Sequence, residues 1–140
     1  MKIYDATNKI AGRLASIVAK ELLKGEKVVI VNAEKAILSG NPKTKIREYL
    51  EKRWRGDPHK GPFYPKYPDK ILRKIIRGML PYKKAKGREA FKRLKVFIGL
   101  PEQFKNKELI NLKKIDASKL RCKYITLGEL AIQLGAEKRW

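Results

Sequence analysis

Apolar residues in the first third of the chain follow two different periods. Ile10, Leu14, Ile17, Val18 and Leu22 recur at helical spacing, while Arg13, Lys20 and Lys24 fall off that stripe. The pattern predicts a helix over Ile10–Lys24 with one face on a sheet, ended by Gly25. On either side, Ile3–Ala6 and Lys27–Asn32 read as strands, and the VVIV run carries no polar alternation. A strand apolar at every position is covered on both faces, as in a parallel sheet. Strand, helix and strand make a βαβ unit with a right-handed crossover, so the class is α/β.

A second helix is predicted from Lys43 to Trp54, with Pro42 suited to its first turn and Ile46, Tyr49, Leu50 and Trp54 as its apolar positions. Helix is then forbidden across Gly56–Pro68, which holds four prolines and two glycines and reads as an extended arm or lid. Phe63, Tyr64 and Tyr67 in that arm need cover, from a base, a ribose, a neighbouring protein or their own domain. From Asp69 to Met79 the faces separate: Lys70, Arg73, Lys74 and Arg77 lie on one side, and Ile71, Leu72, Ile75, Ile76 and Met79 on the other.

Gly78 to Pro81 breaks this helix, Tyr82–Lys86 is a basic connection, a short helix is expected over Arg88–Leu94, and Val96–Gly99 returns as a buried strand. Beyond Pro101 the chain is less basic, with Leu109–Ile115 expected to be extended. The last element is a helix. Thr126 and Glu129 have capping-box spacing, Leu127, Leu130, Ala131 and Leu134 form its apolar face, and Gly135 is its stop.

Charge changes this picture from a generic α/β domain to one with a polyanionic partner. The net charge is +21 over 140 residues. Lys43–Lys95 holds 19 Lys and Arg against 5 Asp and Glu, a net of +14 that leaves +7 for the other 87 residues. Such density repels itself unless an anion lies against it, and nucleic acid is the foremost candidate. One domain over 1–140 with a basic nucleic-acid-binding region of about 43–95 is the expected organisation. Lys83, Lys84, Lys86 and Arg88 cluster on a turn, which follows the irregular backbone of folded RNA better than a regular duplex groove.

Chemistry of other kinds is scarce. Cys122 is the only cysteine, which excludes an intrachain disulfide and suits a reducing compartment; a free cysteine is expected to be a small buried residue. The N-terminus shows no signal-peptide pattern, and the protein is expected to be cytoplasmic. There is one histidine, His59, and no nucleophile-elbow, phosphate-loop, dinucleotide or metal-spaced motif, so no catalytic residue, metal or cofactor is assigned. The DATNKIAG turn after the first strand lacks the glycines that let a backbone approach pyrophosphate. A two-metal nuclease built from Asp5, Glu34, Asp57 and Asp69 is the best enzymatic alternative, and Asp57-Pro58-His59 reads more plainly as a turn. A polybasic membrane-surface protein is a third reading, weakened because the apolar side of Asp69–Met79 is committed to a core.

With these residues in view, the chain resembles the large-subunit ribosomal protein L13 family, in its archaeal and eukaryotic branch. The likeness spans nearly the whole length. It rests on Asp5-Ala6 before Gly12-Arg13-Leu14-Ala15-Ser16, on Val31-Asn32-Ala33-Glu34 with Ser39-Gly40, on IIRGMLPYKKAKGREAFKRLKVFIGLP from Ile75 to Pro101, and on Leu127-Gly128-Glu129-Leu130. The resemblance implies a three-layer α/β/α body on a four-stranded parallel sheet, with a basic helical and Pro-rich extension. It also implies a non-catalytic structural role in the large subunit, bound to ribosomal RNA early in assembly and beside other ribosomal proteins, with no membrane or small-molecule substrate. The expected RNA-facing residues are Lys43, Arg47, Arg53 and Arg55 on or just after the second helix, and His59, Lys60 and Lys66 in the arm. They continue with Lys70, Arg73, Lys74 and Arg77 on the third helix, and with Lys83, Lys84, Lys86 and Arg88 after it. Phe63 and Tyr64 are candidates for stacking on a base or ribose.

Overall fold

Strand β1 (Lys2–Asp5), helix α1 (Ala11–Leu23) and strand β2 (Val28–Val31) form the expected βαβ unit in the computed structural model, which describes residues 1–140. β1 and β2 run parallel with Ile3 opposite Val29 and Tyr4 opposite Ile30. All four residues of β2 are buried because β2 is the middle strand, in the order β1-β2-β4, with β4 spanning Leu94–Val96. α1 buries Ala11, Leu14, Ala15, Val18, Ala19 and Leu22 and stops at Gly25, whose φ of +96° favours glycine.

The carboxyl ends of β1 and β2 are locked together by the turn that follows β1. The Asp5 carboxylate accepts from the Thr7 backbone N–H at 3.0 Å, the Thr7 hydroxyl at 2.7 Å and the Asn32 amide at 3.1 Å. Burial pushes this carboxyl up, but the three hydrogen bonds and nearby Lys9 outweigh it and hold it below the ordinary aspartate value. The absence of glycines here therefore reflects a turn filled by its own side chains.

The remaining helices gather on one face of the sheet. They are α2 (Pro42–Trp54), α3 (Pro68–Met79), α4 (Ala85–Lys92) and α5 (Leu127–Gln133). Tyr4, Val28 and Ile30 point into the large core with Leu14, Leu22, Ile71, Leu72, Ile76 and Leu130. Ile3, Val29 and Val31 face the other way and are covered by Phe104 from a short 3-10 turn, with Phe97, Leu100 and Leu109 around it. A second, two-stranded antiparallel sheet pairs β3 (Ile37–Ser39) with β5 (Tyr124–Thr126).

The structure therefore differs from the expected four-stranded, three-layer sandwich. The main sheet has three strands. The expected Leu109–Ile115 strand reduces to one parallel bridge between Ile110 and Tyr4, after which Lys113–Ile115 winds into a 3-10 turn. Opposite the helices lies a turn and loops instead of a second helical layer.

Three local expectations also shift. α4 begins at Ala85, ahead of the expected Arg88, because Gly87 lies inside the helix where a Cβ would fall 2.1 Å from the Pro81 carbonyl oxygen. A glycine that looked like a boundary is a packing contact. β4 accordingly spans Leu94–Val96, two residues before the expected Val96–Gly99, although Phe97 N–H still bonds Ile30 O at 2.8 Å. Cys122 is exposed, within the open stretch 121–123 that leads into β5, and is not the buried residue its type suggested. At the C-terminus the cap is as expected: the Thr126 hydroxyl accepts from Glu129 N–H at 3.2 Å, and Gly135 has φ +95°.

Candidate nucleic-acid interface

α3 positions the centre of the candidate interface. Pro68 fills its first turn, and Ile71, Leu72 and Ile76 are buried, so the helix is fixed with Lys70, Arg73 and Arg77 exposed and Lys74 half-buried. Ile75 is half-buried and Met79 is 43 % exposed, which narrows the apolar side from the expected five residues.

The cations of this stripe stand over aromatic rings. Arg73 lies 4.6 Å from the Phe91 ring centre and Arg77 4.0 Å from that of Tyr82, while Lys74 lies 5.3 Å from Tyr64 and Lys70 5.8 Å from Tyr67. A cation at this distance from a ring face is attracted by the ring quadrupole, which favours keeping it there. None of these four, nor Lys83, Lys84, Lys86 or Arg88, has a carboxylate within ion-pair distance. The stripe is thus a set of cations held near rings and without carboxylate partners.

The Pro81–Lys84 turn folds these donors into a concavity. Lys84 N–H bonds the Pro81 carbonyl at 2.9 Å, and Gly87 lets α4 pack directly on that turn. Lys74, Arg77, Lys83 and Lys84 consequently line one cavity of about 480 Å³ with Gly78 and Tyr82. Lys86 and Arg88 lie on α4, not on the turn as expected, and both are exposed; the Arg88 guanidinium reaches back to the Lys83 carbonyl at 3.4 Å.

The arm between α2 and α3 is without helix or strand and leaves the aromatic candidates in different environments. Tyr64 packs edge-on against buried Tyr49, ring centres 5.6 Å apart, and burial pushes both phenols above the ordinary tyrosine value. Tyr64 anchors the arm to the core, whereas Phe63 is 74 % exposed. At the tip, Gly61 N–H closes on the Asp57 carbonyl at 2.7 Å and the Asp57 side chain accepts from His59 N–H at 3.0 Å. This is the turn that the Asp57-Pro58-His59 run suggested, and it holds His59 and Lys60 out in solvent.

The other predicted residues are scattered more widely. Lys43 and Arg47 are exposed on α2, and Arg47 pairs with Glu51 at 3.4 Å. Arg53, Arg55 and Phe63 share a small hollow of about 190 Å³ with Trp54. Lys66 sits 5.7 Å from the Tyr67 ring, beside Arg139 at 4.2 Å. Three further residues of this surface escaped the sequence reading. Trp54 was counted as apolar cover but is 74 % exposed, and Arg139 comes from far along the chain, so no local pattern announced it. Lys52 lies 4.5 Å from the Tyr49 ring, a contact that the spacing of three residues on one helix does allow to be read.

Nothing in this arrangement gathers reactive groups. No set of three or more His, Cys, Asp or Glu side chains is placed to hold a metal ion, and no helix is long and apolar enough to cross a membrane. The structure is thus an α/β body that carries a stripe of cations without carboxylate partners. The sequence profile of the family described as Ribosomal protein L13 matches residues 1–103. The chain is 51 % identical over 136 residues to the large ribosomal subunit protein uL13 of Methanopyrus kandleri, covering 95 % of this chain and 86 % of that protein. It is 50 % identical to the proteins of the same name from Methanosarcina barkeri over 139 residues and Methanocaldococcus jannaschii over 141, each covering 98 % of this chain and 99 % of the relative. The chain belongs to the ribosomal protein L13 family, whose members named here are ribosomal proteins and not enzymes.

Proposed function

We propose that this chain is a non-catalytic structural constituent of the large ribosomal subunit in the cytoplasm, which binds ribosomal RNA, stabilises its fold and promotes early subunit assembly. It acts as one unit over residues 1–140, with its RNA-binding region at about 43–95 and other large-subunit proteins as neighbours. The family and the names of its relatives support the setting. The observation that carries the mechanism is the α3 stripe, whose cations are propped on rings and lack carboxylate partners.

Phosphates crowded together in folded RNA repel one another, and fixed cations between them lower that cost while releasing counterions. Arg73, Arg77 and Arg88 supply forked donors for phosphates or base edges, and Lys70, Lys74, Lys83, Lys84 and Lys86 act as point charges. Lys43, Arg47, Arg53, Arg55, His59, Lys60 and Lys66 extend the contact along α2 and the arm. Phe63 offers an open ring for stacking, and Tyr64 contributes at the ring edge left by Tyr49.

Sedimentation of a cell lysate through sucrose at low and high salt tests this reading. Co-migration with the large subunit that survives high salt is expected. A protein that runs free at the top of both gradients overturns it.

A further inference from the structure

The RNA-facing stripe lies on the helical side of the sheet, yet cations also converge on the opposite side. Lys27, Lys92, Arg93, Lys95 and Lys107 line one cavity of about 460 Å³, floored by Val29 and Phe104 and containing no carboxylate among its lining residues. Val29 and Phe104 belong to the small core on the loop-covered side, and Lys95 is the parallel partner of Val29 and so projects to that same side. The residues arrive from four places: the start of β2, the end of α4, β4, and the segment after the Phe104 turn.

Ordinary structural duties account for part of this cluster only. Lys92 sits at the carboxyl end of α4, where a cation is favoured, and the Arg93 guanidinium donates to the Leu22 carbonyl at the end of α1, at 2.7 Å. Lys27 and Lys95 have no such task, and Lys107 stands over the Phe104 ring at 5.5 Å without an acidic partner. They are exposed, and none has a carboxylate within 4.0 Å. Of the acids close in the chain to these residues, Glu26 pairs with the N-terminal amine and Glu102 with Lys105, while Glu108, which follows Lys107, has no cation within 4.0 Å. Like charges brought into one concavity raise each other's energy unless an anion is shared among them.

We infer that this cavity is a second phosphate-binding site, which takes a segment of RNA distinct from the one on α3. The protein then bridges two RNA segments across the thickness of its sheet. This inference rests on the ribosomal RNA-binding reading and adds a second contact face to it. A scaffold with contacts on both faces fixes the distance between two segments, which a single face does not.

Two measurements test it. In the full-length chain, Lys27→Gln, Lys95→Gln and Lys107→Gln together should flatten the dependence of log affinity for large-subunit RNA on log salt by about 2 to 3, at about 0.7 to 0.9 per lost phosphate contact. An unchanged slope overturns the second site. Independently, in a Cys122→Ser background, a short photo-crosslinker is placed at Lys95→Cys or at Lys70→Cys and the protein is assembled into subunits. The two positions should mark two separate RNA segments. Crosslinks from position 95 to protein alone, to the segment marked from position 70, or to nothing overturn the inference while RNA crosslinks from position 70 leave the main reading standing. Failure of both positions to reach RNA removes the main reading as well.

Discussion

Helices α2 and α3 are adjacent in the chain and similarly basic, with five cations on Pro42–Trp54 and four on Pro68–Met79, yet they use that charge differently. α2 carries Glu48 and Glu51 and pairs them with Lys45 at 3.7 Å and Arg47 at 3.4 Å, burying only Tyr49. α3 has a single acid, Asp69, in its first turn, buries four residues, and holds its cations over rings supplied by other elements. Charge count alone therefore does not decide how a helix holds its cations. What distinguishes α3 is that its apolar side fixes the helix and its neighbours fix the charges.

The sharpest way to break this comparison is charge reversal. Arg73→Glu, Lys74→Glu and Arg77→Glu together should cost more than about a hundredfold in affinity for large-subunit RNA, because several phosphate contacts turn repulsive. Lys43→Glu, Arg47→Glu and Lys52→Glu should cost about tenfold. Filter binding at fixed salt compares the two sets, and equal losses would erase the distinction drawn here. Circular dichroism should show both proteins folded; an unfolded α3 variant would refute the placement of that stripe outside the core.

Stability should separate the same two helices. Leu72→Ala removes a fully buried side chain and is expected to cost about 2 to 5 kcal/mol in urea unfolding. Leu50→Ala, at a half-buried site on α2, should cost under about 2 kcal/mol. Gly87→Ala comes next, since the added methyl meets the Pro81 backbone; a loss of about 1 to 3 kcal/mol and a weakened Lys83–Lys84 turn are expected, and a neutral result would contradict the close approach of α4.

The smallest effect concerns the rings. Tyr82→Leu keeps the apolar bulk but frees Arg77, so binding must then immobilise a mobile side chain at about 0.5 to 1.5 kcal/mol. Affinity should fall about two- to tenfold with the salt slope unchanged, since no charge is lost. A changed slope would show that Tyr82 acts otherwise than by orienting Arg77.

Those elements whose cause is local were legible in the sequence. The α1 stripe, the uniformly apolar β2 and the two faces of α3 each follow from spacing along one segment, and the structure buries Leu14, Val18, Leu22 and Leu72 accordingly. The misreadings came from partners distant in the chain. Gly87 looked like punctuation because Pro81 was not known to lie against it, and Trp54, counted among the apolar positions of its helix, lies beyond the end of the core. The pairing of β3 with β5 and the gathering of Lys27, Lys95 and Lys107 join residues with no shared local pattern. At the candidate interface the basic residues are legible in the sequence, while the rings beneath the arginines are visible only in three dimensions.

One residue is useful because it stays out of all this. Lys9 is 3 % exposed and pairs with Asp116 at 3.7 Å beneath the turn that follows β1, and it is the only buried cation in the chain. In an amine-acylation experiment it should remain unlabelled in the free protein and in the assembled particle alike. Its silence gives a built-in zero against which protection of every other lysine can be scaled, and its labelling would report that a preparation has unfolded.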